Sequence, residues 1–393
     1  MKRTGLSEYV SGILRAVERE GDRALIRFGS RFDGVKLQAS GLRVSDADIN
    51  GSVKAVSKPV RSALDKAAAN VKRFHELELK GIRRSWKTVR AGVTVGQVLN
   101  PIESAGIYVP GGRFAYPSTV LMTAIPARTA GVKRVVMMTP PKNVTPELLY
   151  AAKISGVTEI YRVGGPWAVA ALAFGTESVK RTDLVVGPGN KYVNEAKRQV
   201  FGRVGIDSLA GPSEIAVIAD DSADERFVAQ DILAQLEHDP DARAYLYTDS
   251  LKFMRGVNNA LFGKADRKQF KAVKCSLERA VELVNVLAPE HLEIAVRNPK
   301  KTASKIVNAG AVFIGNYSPV AAGDYWAGPS HALPTGRSAR YSGGVSAATF
   351  LKRTSFIELT RVALLKSAGW IKGLAVAEGL KEHNRSIEIR EKQ

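Results

Sequence analysis

Val10, Ile13, Leu14 and Val17 recur at helical spacing behind Ser7, and Val60, Leu64, Ala67, Val71 and Phe74 do so again, so residues 1–80 are predicted to be helical. From 83 to about 98 the alternation of apolar and polar positions turns β-like. Short apolar runs at 106–109, 135–138, 160–163, 184–186 and 215–218 then alternate with helical stretches, and a second series follows at 244–247, 284–287 and 311–314. Strands separated by helices predict βαβ units, parallel sheets and two α/β lobes. The tail from about Phe350 is predicted to be helical. No internal repeat or low-complexity linker marks the lobe boundary, which is placed at the turn cluster Gly211-Pro212-Ser213.

A chain of 393 residues exceeds the usual size of one core, in keeping with two lobes. With 45% hydrophobic and 24% charged residues it has the composition of a globular protein, and its apolar runs are too short to cross a bilayer, so no membrane partner is expected. The N-terminus lacks the apolar core of a secretory signal, which points to a cytoplasmic location. Cys275 is the only cysteine, so no internal disulfide or thiolate metal site can form, and any metal must take N and O ligands. The net charge of +20 admits a nucleic-acid binder or a basic enzyme handling anionic cofactors. Lys and Arg are spread through the helical segments, with no arginine-rich tail and no aromatic-basic RNA motif, which disfavours nucleic acid.

There are five histidines, and four, His238, His291, His331 and His383, stand beside acids or amides in segments that could meet at one metal. Ser222-Ala223-Asp224-Glu225 has capping-box spacing and opens a helix expected to run to Asp239-Pro240, so Gln235 and His238 fall on one face, where two ligands could share an ion. A solvated helix-end histidine is the plain alternative. Glu290 and His291 follow the apolar run at 284–287, at what reads as a strand's end, and suit proton transfer and water activation, or else a surface pair capping the next helix. The loop from Gly323 to Gly336 carries Asp324, able to complete a metal shell, and His331, unless it is merely a rigid turn. His383, on a presumed terminal helix, proves nothing alone. There is no Gly-x-Gly-x-x-Gly and no Walker-type loop. Instead Gly106-Ile107-Tyr108-Val109-Pro110-Gly111-Gly112-Arg113 and Gly187-Pro188-Gly189-Asn190 each end a strand where backbone N–H groups could receive a phosphate, or simply make tight turns.

Taken together, Tyr108-Val109-Pro110-Gly111-Gly112, Gly187-Pro188-Gly189-Asn190, Gly211-Pro212-Ser213-Glu214, the segment from Gln235 to Pro240, Pro289-Glu290-His291-Leu292, Gly323-Asp324-Tyr325, Leu333-Pro334-Thr335-Gly336 and the segment from Glu378 to His383 resemble the histidinol dehydrogenase family, in its order and over nearly the whole chain. The resemblance implies two Rossmann-like lobes in an intertwined homodimer with helical terminal extensions. It places 1–107 and 214–345 in one lobe, 108–213 in an NAD-binding lobe and 346–393 in an extension crossing to the partner. It implies zinc on Gln235, His238, Asp324 and, given in trans, His383. It makes His291 the base and Glu290 the activator of water, with Ser213, His331 and Glu378 at the substrate and Tyr108 and Asn190 at NAD. Where the family has Gly-Gly-Ala-Gln-Ala, this chain reads Gly164-Gly165-Pro166-Trp167-Ala168, so an indole that can stack but cannot accept a hydrogen bond stands at the cofactor. The implied reaction carries histidinol through its aldehyde to histidine by two hydride transfers to NAD. A paralogue acting on another amino alcohol or a sulfonated diol, and a basic nucleic-acid-binding module on the same scaffold, are the alternatives. Glu378, a carboxylate suited to a substrate ammonium, favours histidinol.

Overall fold

The computed structural model describes residues 3–392 except 112–114 and 267, so Arg113, the cation expected in the glycine loop, lies outside the described residues. The chain divides into two compact units, one of Met1–Leu79 with Ile102–Phe350, the other of Lys80–Pro101 with Leu351–Gln393.

The strands are β1 (Ser85–Arg90) and β2 (Val93–Pro101), then β3 (Ser104–Tyr108), β4 (Arg134–Thr139), β5 (Glu159–Arg162), β6 (Leu184–Val186) and β7 (Gly205–Ile206). They continue as β8 (Glu214–Ala219), β9 (Arg243–Thr248), β10 (Phe270–Lys274), β11 (His291–Ala295), β12 (Ala311–Ile314) and β13 (Leu351–Leu359). The first unit holds two all-parallel sheets, ordered β5-β4-β3-β6-β7 and β10-β9-β8-β11-β12. Each starts at a central strand, adds two neighbours on one side and then crosses to the other, the order of a Rossmann-like half. The repeat is one of topology alone, which is why no sequence repeat announces it.

Burial explains the unbroken apolar runs. Ile215, Val217 and Ala219 of β8 enter one core with Val228, Ile232 and Phe253, while Ala216 and Ile218 enter another with Val281, Val284 and Leu292. Both faces of the strand are therefore covered, as a parallel sheet flanked by helices requires. Each such Val or Ile withdrawn from water contributes roughly 1.5–3 kcal/mol. In the first sheet's layer, the helix Arg3–Glu20 sinks Val10, Ile13, Leu14 and Val17 into one cluster with Trp167, Leu172 and Val193.

Three local expectations change. Residues 284–287 close the helix Leu277–Leu287 instead of forming a strand, because a short apolar run has no period of its own to separate the two. The helix ends in a left-handed residue, Ala288 at φ 50°, and Glu290 and His291 therefore stand at the amino end of β11. The helix predicted from the capping box spans Glu225–Leu236 and is capped by Asp224, whose side chain accepts the Arg226 N–H; it stops short of Pro240, and His238 lies just beyond its last turn. The tail opens with β13, paired antiparallel to β2 along its whole length, before its helices Arg361–Ala377 and Lys381–Glu391. In that second unit β1 and β2 form a hairpin through Ala91 and Gly92, both at positive φ. Among the described residues no helix is long and apolar enough to cross a membrane.

Candidate active site

The loops that leave the carboxyl ends of β3, β6 and β7 meet those that enter the amino ends of β8 and β11 around a cleft of about 280 Å³, lined by residues of the first unit. Ser213, Gln235, His238, Glu290, His291, Asp324, His331 and Asn190 all line it. Gln235 is placed by the last turn of Glu225–Leu236 and is buried, whereas His238 is exposed.

The backbone of one residue, Glu214, holds the acid and the imidazole. The Glu214 N–H donates to Glu290 Oε2 at 3.0 Å, and the Glu214 carbonyl lies 3.3 Å from His291 Nδ1. A carbonyl only accepts, so Nδ1 carries the ring proton and Nε2 presents its lone pair. That Nε2 is buried and has no partner among the described residues. Burial holds the imidazole neutral by pushing its pKa down to about 4, with His331 and His238 adding to the shift. Burial acts oppositely on Glu290, whose carboxyl rises to about 8, helped by the nearby Glu214 and Asp324 and opposed by the Glu214 N–H. A neutral imidazole with an open lone pair can take a proton from an alcohol, and a carboxylate of raised pKa is a stronger base toward water. His331 is likewise lowered to about 4 by burial.

The donor set for a metal is partial. Among the described residues no group of three or more His, Cys, Asp and Glu side chains is drawn together to hold an ion. Of the expected ligands the cleft holds the His238 imidazole, the Asp324 carboxylate and the Gln235 amide. Burial alone lifts Asp324 to about 6, and a cation beside it would relieve that cost, so these three donors fit an N/O-ligated divalent ion that takes its fourth ligand from elsewhere. His383, on the helix Lys381–Glu391, and Glu378, which caps Arg361–Ala377, belong to the second unit and are exposed.

A second cavity, of about 460 Å³, brings together Tyr108, Trp167 and Asn190 with Tyr9, Phe32, Asp33 and Lys142. It shares Gly111 and Asn190 with the cleft. The Trp167 indole stacks on Phe32 at 5.4 Å and lies tilted against Phe28 at 5.8 Å, while its Nε1 is buried without a partner. Tyr108 accepts the Gly165 N–H on its hydroxyl at 3.1 Å. Asn190 caps the helix Lys191–Val200, its side-chain oxygen accepting from Tyr192 and Val193, which leaves its NH2 group for a ligand. Asp33, lifted to about 6 by burial and drawn back by Lys142, gave no signal in the sequence, because its neighbours are brought in from distant segments. Glu214 was equally silent: it serves through its main-chain N–H and C=O, and only its place beside Ser213 hints at it.

A family model described as histidinol dehydrogenase matches residues 1–391. Among curated relatives, the histidinol dehydrogenase of Thermosynechococcus vestitus is 46% identical, over 97% of this chain and 92% of that one. That of Moorella thermoacetica is 44% identical, over 100% and 96%. The crystal structure of histidinol dehydrogenase from Elizabethkingia anophelis superposes with a TM-score of 0.90 at 36% identity, covering 98% of this chain and 92% of that one.

Proposed function

Since the chain belongs to the histidinol dehydrogenase family, we propose that it oxidises L-histidinol through L-histidinaldehyde to L-histidine, passing two hydrides in succession to two molecules of NAD. The observation that carries this reading is the pairing of a neutral, open-faced His291 with a high-pKa Glu290 on the backbone N–H and C=O of one residue, Glu214, inside the cleft that also holds Gln235, His238 and Asp324.

In the first half-reaction His291 Nε2 takes the alcohol proton as the carbinol hydrogen leaves as hydride, giving aldehyde and NADH. In the second, the Glu290 carboxylate draws a proton from water, whose oxygen adds to the aldehyde carbon; loss of the second hydride from the hydrate leaves the acid. Gln235, His238 and Asp324 would hold a zinc ion with the partner subunit's His383, and zinc there would fix and polarise the substrate oxygen as a Lewis acid. Ser213 and His331 face the same space and would orient the substrate, with Glu378 toward its ammonium group. The second cavity, carrying Tyr108, Trp167 and Asn190 and sharing Asn190 with the cleft, suits the rest of the dinucleotide. The exposed apolar side chains of the second unit, among them Ile357, Trp370 and Leu374, support a homodimer in which active sites are shared.

The test is product analysis with the zinc-loaded protein. Two NADH per histidinol, loss of turnover with a chelator and recovery with zinc are expected. Stoichiometric zinc with no NAD reduction on histidinol, but turnover of another amino alcohol or a sulfonated diol, would assign the chain to a paralogous activity.

A further inference from the structure

We infer that Lys197 and Asp207 are positioning residues for the dinucleotide, a buried ion pair that grips both polar groups of a single residue, Gly187, and thereby sets the turn standing between the two cavities. Lys197, on the helix Lys191–Val200, is wholly withdrawn from solvent. Its Nζ pairs with the Asp207 carboxylate and donates to the Gly187 carbonyl at 3.0 Å. The other Asp207 oxygen accepts the Gly187 N–H at 2.8 Å. The same carboxylate receives the Ser208 N–H at 2.7 Å, so all its contacts serve main chain or the lysine.

Lysine is almost never fully buried, and taking both ions from water is costly enough that an apolar pair of similar volume would serve stability as well or better. What an apolar pair cannot do is hold an N–H and a C=O of one residue at once. Gly187 needs such holding. Its φ is 115°, and a Cβ there would stand 2.2 Å from the Tyr108 carbonyl, so the turn is pressed against the end of β3. Further along, Asn194 Nδ2 donates to the Gly189 carbonyl at 2.7 Å, and Asn190 caps the following helix. Gly187, Pro188, Gly189 and Asn190 line the cleft, and Asn190 lines the second cavity too. A molecule reaching from one cavity to the other crosses this turn, and a small displacement of it would misplace the reacting carbon.

The inference rests on the NAD reading above, and calorimetric titration separates the two. Zinc-loaded wild type, Lys197→Met and the double replacement Lys197→Met with Asp207→Asn are titrated with NAD and, separately, with histidinol. The double replacement leaves no uncompensated charge and carries the test if the single variant does not fold. NAD should bind at least about tenfold more weakly to the variants, about 1.4 kcal/mol. Histidinol should stay within about twofold, and amide exchange should quicken across 187–194. Unaltered NAD affinity, or equal losses for NAD and histidinol, would overturn the inference while leaving the function standing. Failure of the wild type to bind NAD at all would overturn the functional reading and this inference with it.

Discussion

At the scale of single residues, environment sets chemistry. Glu290 and His291 are neighbours in sequence, yet burial drives their pKa values in opposite directions, to about 8 and about 4, because it disfavours whichever form is charged. The proposed division of labour makes distinct predictions. His291→Asn should lower the alcohol step by roughly 10²–10⁴, the usual worth of a placed base, while histidinol affinity stays close to wild type. Glu290→Gln should spare the first hydride transfer and stall the second, so that a single turnover followed at 340 nm (the nicotinamide band) gives about one NADH per site instead of two. Two NADH at an unchanged rate would remove Glu290 from the second step. Gly187→Ala forces a Cβ against the Tyr108 carbonyl at a positive φ, and should cost on the order of 1–3 kcal/mol, read as a lower melting temperature.

At the scale of elements, the helix Glu225–Leu236, which carries Gln235, is tied to β11, which carries His291, by a pair of acids. Asp231, one turn before Gln235, lies beside Glu293, two residues along β11 from His291, and burial together with their mutual repulsion raises the Glu293 pKa to about 8. Folded protein then keeps a proton that the unfolded chain has released, so stability should fall as pH climbs from the ordinary glutamate range through neutrality. Glu293→Gln still offers Asp231 a donor but has nothing to titrate; melting curves from pH 5 to 9 should fall less steeply than those of wild type. Parallel slopes would show that the pair does not share a proton. This tie was invisible in the sequence, since Leu292-Glu293-Ile294 looks like ordinary alternation until different helices cover the two faces of the strand. The reading of 284–287 as a strand failed for another reason, the absence of a period in so short an apolar run.

At the scale of the whole molecule, the cleft arises where two sheets of equal strand order approach, the carboxyl ends of one toward the amino ends of the other. The described residues bring three candidate metal donors to it, and the proposed fourth is His383 of a second copy. Mixing His238→Ala protein with His383→Ala protein should restore part of the lost activity, because one kind of site in the heterodimer regains a full donor set. No recovery after verified subunit exchange would count against sites shared between subunits.

Local patterning was enough for the α/β class, for most strands of the parallel sheets, for the N-terminal helix and for the motif blocks, because side-chain period and turn residues act over a few positions and need no distant partner. Contacts between distant segments decided the rest. That the backbone of one residue, Glu214, holds both Glu290 and His291, that a buried lysine and aspartate clamp Gly187, and that Trp167 packs on Phe32 follow from which loops the sheets bring face to face. Such partners lie from ten to well over a hundred positions apart along the chain, and only burial in a shared interior gives their charges and hydrogen bonds the strength to matter.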